Sequence, residues 1–117
     1  MELTSLDFQQ ARIKQVLFKS RLRSVLYGVR EADEALFSAR DNPLGQWIET
    51  VIKPQSGSTP AVRELERLLH DMLQTGRQLV AMHQRGQLEE ARKGLEQIET
   101  YGTKMEDVLR RMEQELV

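Results

Sequence analysis

Cysteine is absent from the chain, which removes disulfides, thiolate metal ligands and thiol nucleophiles together. Histidine occurs only at His70 and His83, too far apart for the i,i+4 pairing by which a helix holds zinc. No apolar run approaches the length of a membrane span, and the N-terminal MELTSLDFQQ lacks the apolar core of a signal peptide. Neither sign of charge is in excess, with 17 Lys+Arg against 18 Asp+Glu, so no global field points to nucleic acid or an anionic membrane. The seven glycines are scattered singly, which excludes a phosphate-cradling loop. Gly-x-Ser-x-Gly and Glu-x-x-His pairs are also missing. These absences argue against an enzyme and predict a cytoplasmic protein without cofactor, nucleic-acid binding or membrane insertion.

Leu, Glu, Arg and Gln are abundant and aromatics reach only 5%, a composition that leans to helix. At 117 residues the chain fits one domain, which on folding buries roughly 65% of the unfolded surface. Asp7 with Gln10 predicts a capping box, and Leu6 with Ala11 a hydrophobic staple. Phe8, Ala11, Gln15, Phe18, Leu22 and Val25 then follow at 3-4 spacing, apolar except for Gln15, and Gly28 is a natural stop. Residues 30–41 allow a short helical turn or a loop. Asn42-Pro43 is a good Ncap–N1 pair opening a short helix through Leu44, Trp47, Ile48 and Val51. Residues 53–60 (KPQSGSTP) predict a loop.

Thr59-Pro60 repeats the Ncap–N1 pattern and opens a long helix with a buried face of Val62, Leu65, Leu69, Met72, Leu73, Gly76, Leu79 and Val80. After Gln84-Arg85-Gly86, one last helix carries a seam of Leu88, Ala91, Leu95, Ile98, Gly102, Met105, Leu109, Met112 and Leu116. Together these predict an all-α, antiparallel four-helix bundle of three long helices plus a short one, one domain over 1–117, dimeric through its narrow seams. The glutamates and aspartates of 89–90 and 106–107 read as solvated helix faces. Arg12, Lys14, Lys19, Arg21 and Arg23 form a basic run with no intervening acid, while the segment after Gly86 is acidic. Interhelix ion pairs are the plain reading of that asymmetry, and a docking surface for an acidic partner the functional one.

Three elements in order carry a further signal: Gln15-x-x-Phe18, then Asn42-Pro43-Leu44-Gly45-Gln46-Trp47, then His70-x-x-x-Gln74, separated by residues 19–41 and 48–69. The pattern resembles that of the chemoreceptor zinc-binding domain family (CZB): His-x-x-aromatic, Cys-x-Leu-Gly-x-Trp and His-x-x-x-His. Phe18-Lys19 with Arg21-Leu22-Arg23 also looks like the family's Trp-Lys-x-Arg-Leu-Arg segment, and the likeness extends over about residues 6–116. It implies a helical sensory bundle of the kind attached to chemoreceptors and diguanylate cyclases. The family's zinc-ligand positions hold Gln15, Asn42, His70 and Gln74 here, and three amides with one imidazole make a poor zinc site.

Three readings follow. The first is a non-catalytic regulatory or signalling interaction module that has lost zinc, with a homodimer partner, a chemoreceptor or a diguanylate cyclase. The second is a small-ligand or pH sensor using His70 in the former zinc pocket. The third is a zinc-free bundle that pairs with a zinc-competent relative. Gln15, His70 and Gln74, with Asn42, are expected to form a hydrogen-bonded polar cluster in place of the metal, the alternative being that these side chains sit separately at the bundle edge in contact with water; Leu44 and Trp47 are expected to pack on one side.

Overall fold

The computed structural model describes residues 2–117, and every regular element among them is helical. In chain order they are α1 (Ser5–Leu26), the single turn α2 (Glu34–Phe37), α3 (Pro43–Trp47), a π-helical segment Ile48–Ile52, α4 (Lys53–Ser56), α5 (Pro60–Gln84), α6 (Leu88–Lys93) and α7 (Leu95–Leu116). Side-chain pairs fix their directions. Arg12 meets Glu106 and Glu113, and Lys19 meets Glu99, so α7 runs antiparallel to α1. Phe18 lies over Gly76 while Val25 borders the same hollow as Val80 and His83, so α5 runs parallel to α1. The α2–α4 stretch descends between them, with Phe37 edge-on to Phe18 and Trp47 edge-on to Phe8. The result is a rod of 48 × 22 × 21 Å.

The buried stripes of α1 and α5 fall where their periodicity puts them. Phe8, Ala11, Gln15, Phe18, Leu22 and Val25 are all buried, as are all eight predicted residues of α5. Thr59 caps α5 through its hydroxyl, and Gly28 and Gly86, at φ +75° and +86°, take the left-handed step after α1 and α5.

Four local readings need correction. The capping box of α1 is Thr4 with Asp7, not Asp7 with Gln10: Thr4 Oγ1 accepts from the Asp7 N–H while Asp7 Oδ2 accepts from the Thr4 N–H at 2.9 Å. Leu6 is 63% exposed, so it closes no staple on buried Ala11. Residues 53–56 are helical rather than loop, and the break shrinks to Gly57–Thr59. Proline 54 is compatible with that helix because the preceding turn widens: the Lys53 N–H donates five residues back to Ile48, and the π geometry relieves the clash of the ring with the carbonyl four residues earlier. Finally, the last seam is two helices, α6 and α7, jointed at Gly94, where an added Cβ would stand 2.1 Å from Leu79 Cδ2. Leu88 and Leu116 at the two ends are exposed, and Val108 joins the buried set.

The tightest backbone approach is at Gly45. A Cβ there would lie 1.9 Å from the Ala39 carbonyl oxygen, a backbone atom that cannot rotate away. Gly45→Ala is therefore expected to destabilise by about 3 kcal/mol or more, the upper end of overpacking effects. Gly28→Ala, in open space at positive φ, is expected to cost only about 1–2 kcal/mol. Equilibrium urea unfolding of both variants checks this, and equal losses would contradict the packing at Gly45.

Candidate functional site

The four positions expected to form a polar cluster occupy three separate places. Gln15, on the stripe of α1, is 8% exposed and points at α7, where Gly102 leaves room for it: a Cβ at position 102 would stand 2.4 Å from Gln15 Nε2. Its carboxamide floors a groove of about 430 Å³ between α1 and α7, bordered by Val16, Ile98 and Thr103.

Asn42 is 1% exposed, and its side chain is fully used by the backbone around it. Its Nδ2 donates to the Leu36 carbonyl at 3.0 Å, and its Oδ1 accepts from the N–H groups of Leu44 at 2.9 Å and Gly45 at 3.4 Å. It ends α2, starts α3 and ties the two together, the Ncap role its place before Pro43 predicts. His70 and Gln74 do share a face of α5, but it is the solvent face; Leu69, Met72 and Leu73 are the residues turned inward. The expected cluster is thus corrected. A helix that buries 69, 72 and 73 must expose 70 and 74, because those positions lie on the other side of a 3.6-residue turn. His70 is exposed on α5, apart from Gln15 and Asn42.

The motif's remaining positions lie in the core. Leu44 and Trp47 are buried on one side of α3, as expected, with the Trp47 and Phe8 rings 5.6 Å apart. Trp47 Nε1 is the one buried side-chain nitrogen or oxygen without a partner among the described residues. Phe18 fills the space over Gly76 against Phe37.

The basic run divides. Arg12 hydrogen-bonds Glu106 through Nε at 2.8 Å and Glu113 through Nη2 at 2.5 Å, and Lys19 approaches Glu99 at 3.3 Å. Arg23 lies over the Tyr27 ring, whose neighbourhood Arg92 shares. Lys14, Arg21 and Arg23 pair with no carboxylate among the described residues. Arg77 and Arg92 carry no sequence signal, yet both bind chain breaks: Arg77 pairs with Glu34 and donates to the Phe37 carbonyl, and Arg92 donates to the Leu26 carbonyl at 3.0 Å. Such partners lie far apart in sequence, so spacing could not have exposed them.

No His, Cys, Asp and Glu residues gather in a group able to hold a metal among the described residues. Asn42 is engaged by the backbone around it, and Gln15 lies apart from the exposed His70 and Gln74, so these four residues do not fit zinc. Compared with protein-family models, curated proteins and solved structures, the chain has no match in any of the three.

Two outcomes follow. Gln15→His, Asn42→Cys and Gln74→His combined are expected to yield no thiolate-ligated cobalt spectrum, because the four positions do not converge; intense thiolate-to-cobalt bands from the folded triple variant would contradict the placement of His70 and Gln74. The second concerns acid. The hydrogen bond from Arg12 holds the Glu113 carboxyl below the usual carboxylate range, outweighing its desolvation. A depressed folded-state pKa means the pair's stability is present above the unfolded value of about 4.3 and is lost as pH falls through the lower folded value. Wild type should therefore melt above Glu113→Gln at neutral pH, and the two melting curves should converge in acid. Parallel curves down to acid would contradict this.

Proposed function

We propose that the chain is a non-catalytic regulatory module that acts by binding other proteins, built on a CZB-like four-helix scaffold from which the metal centre has gone. The observation that carries this reading is the use of the motif itself. Phe18, Asn42, Leu44, Gly45 and Trp47 hold α1, the α2–α4 stretch and α5 together. Of the positions that carry zinc chemistry in the CZB pattern, Asn42 caps α3, Gln15 is buried against α7, and His70 and Gln74 face solvent. An input other than zinc or oxidation of a zinc-bound thiolate is implied, and the output is a change of partner.

Chemoreceptors and diguanylate cyclases are the partner classes that the CZB likeness suggests, and pairing with a zinc-competent relative fits the same scaffold. Photo-crosslinking in the native cell from residues on the exposed faces of α1 and α5, followed by identification of the adducts, tests the reading. The expected adducts are signalling proteins of these classes. Recovery of no signalling protein while the purified chain turns over a substrate would overturn it.

A further inference from the structure

The outward face of α1 is unlike the solvent faces of α5 and α7. The strip opposite its buried stripe runs from Leu6 through Ile13, Val16 and Ser20 to Ser24 and holds no charged residue. Leu6, Ile13 and Val16 in it are 63%, 66% and 59% exposed. The outward faces of α5 and α7 instead carry residues such as Arg63, Arg67, Glu96 and Asp107. Cations stand on both edges of the strip: Lys14 and Arg21 on one, Arg23 on the other. None of the three pairs with a carboxylate among the described residues, and Arg23 lies over the Tyr27 ring. Arg12 and Lys19, farther round towards α7, are neutralised by Glu106, Glu113 and Glu99. Arg110 of α7 pairs with Asp107 of its own helix and borders the same hollow as Val16. Asp7, the only acid of α1, is engaged in the capping box at the helix start.

The edge charges identify what covers this strip. A partner has to bring apolar side chains to Leu6, Ile13 and Val16 and carboxylates to Lys14, Arg21 and Arg23, so that no cation is desolvated without a counter-charge. Lys14 and Arg21 are seven residues apart, two turns along one edge, and a helix meets that spacing with acids seven residues apart beside its own apolar seam. From Leu6 to Ser24 the strip is about 27 Å long, room for a partner helix of about five turns. A second copy is a poor match, because its α1 brings Lys14, Arg21 and Arg23 of its own while Glu99 and Glu106 are already paired. An anionic membrane is also a poor match. The Glu99 side chain, 66% exposed, stands on the neighbouring helix at the α7 edge, and Gln9, Gln10, Ser20 and Ser24 interrupt the apolar residues. Tyr27, the one aromatic in line with the strip, is engaged by Arg23 and Arg92 and is not free to anchor in lipid.

We propose that the outward face of α1 docks an acidic amphipathic helix of another protein, its apolar seam on Leu6, Ile13 and Val16 and its carboxylates on Lys14, Arg21 and Arg23. This rests on the interaction-module reading and deepens it by naming the surface and the chemistry of one partner. Failure of docking at α1 overturns this assignment and leaves the crosslinking from α5 as the test of the module.

The probe is a synthetic peptide of about five helical turns, held helical by side-chain lactam bridges, with leucine along one seam and glutamate on both edges of it. A second peptide carries lysine in place of the glutamates, and a third keeps the glutamates but carries serine in place of the leucines. Fluorescence anisotropy should show saturable binding of the glutamate–leucine peptide, weakened by salt, and binding at least about tenfold weaker for each of the others. Amide chemical-shift changes in the protein should follow α1 from Leu6 to Ser24. Ile13→Glu should weaken binding about tenfold with helicity and melting temperature retained, since Ile13 is exposed. Lys14→Glu combined with Arg21→Glu should turn the preference towards the lysine peptide, and Arg67→Glu on the outward face of α5 should leave it unchanged. No binding of the glutamate–leucine peptide overturns the proposal, as does equal binding of either control peptide or a set of shift changes centred on α5. A self-associated protein whose α1 the peptide cannot enter, or protein that sediments with phosphatidylserine vesicles through α1, gives the face to a second copy or to lipid and overturns it too.

Discussion

The side chain of Asn42 and the missing side chain of Gly45 act as one constraint. The carboxamide of Asn42 serves the Leu36 carbonyl and the N–H groups of Leu44 and Gly45, all in an environment closed to water. Each of those backbone groups would otherwise be buried without a partner, at a cost of about 1–3 kcal/mol. With the turn from α2 into α3 fixed in this way, the Ala39 carbonyl comes to rest against Gly45 at a distance no other residue permits. The direction of the α2–α4 stretch follows from that contact. So do the placement of Trp47 on Phe8 and of Phe37 on Phe18, which close the space between α1 and α5.

Charge holds the other side. The contact of α1 with α7 has the buried Gln15 carboxamide against Gly102 within it and is ionic at its edge, where one guanidinium, Arg12, serves two carboxylates a helical stretch apart. Exposed pairs of this kind add little to stability individually, and their larger effect is on register. They also engage two of the five residues of the basic run, Arg12 and Lys19, which leaves Lys14, Arg21 and Arg23 as the cations of α1 without a carboxylate among the described residues. What the sequence presents as a basic helix is, in three dimensions, a helix whose cations are divided between ion pairs with α7 and edges without a carboxylate.

Periodicity made the stripe of α5 legible to the residue and that of α1 in all but Leu26, because both helices are long and each buries one continuous face. It failed where geometry is set by atoms far away in sequence. The widened turn at 48–52 exists to accommodate a proline that reads locally as a breaker, and the joint at Gly94 exists because Leu79 presses on it. For the candidate site, Asn42 as Ncap and the burial of Gln15, Leu44 and Trp47 were legible, since each follows from its own helix. The convergence of Gln15, His70 and Gln74 was not. It required α5 to be rotated so that 70 and 74 face inward, and the apolar residues 69, 72 and 73 decide that rotation the other way.

The central claim is that Phe18, Asn42, Leu44, Gly45 and Trp47 serve packing and capping, and that no His, Cys, Asp and Glu residues gather into a metal-holding group among the described residues. Metal analysis of the untagged protein, with isothermal titration of zinc into it, addresses that claim most directly. The account predicts far less than one equivalent of zinc and no change in thermal unfolding when zinc is added. One tightly held equivalent, with a raised melting temperature, would contradict it.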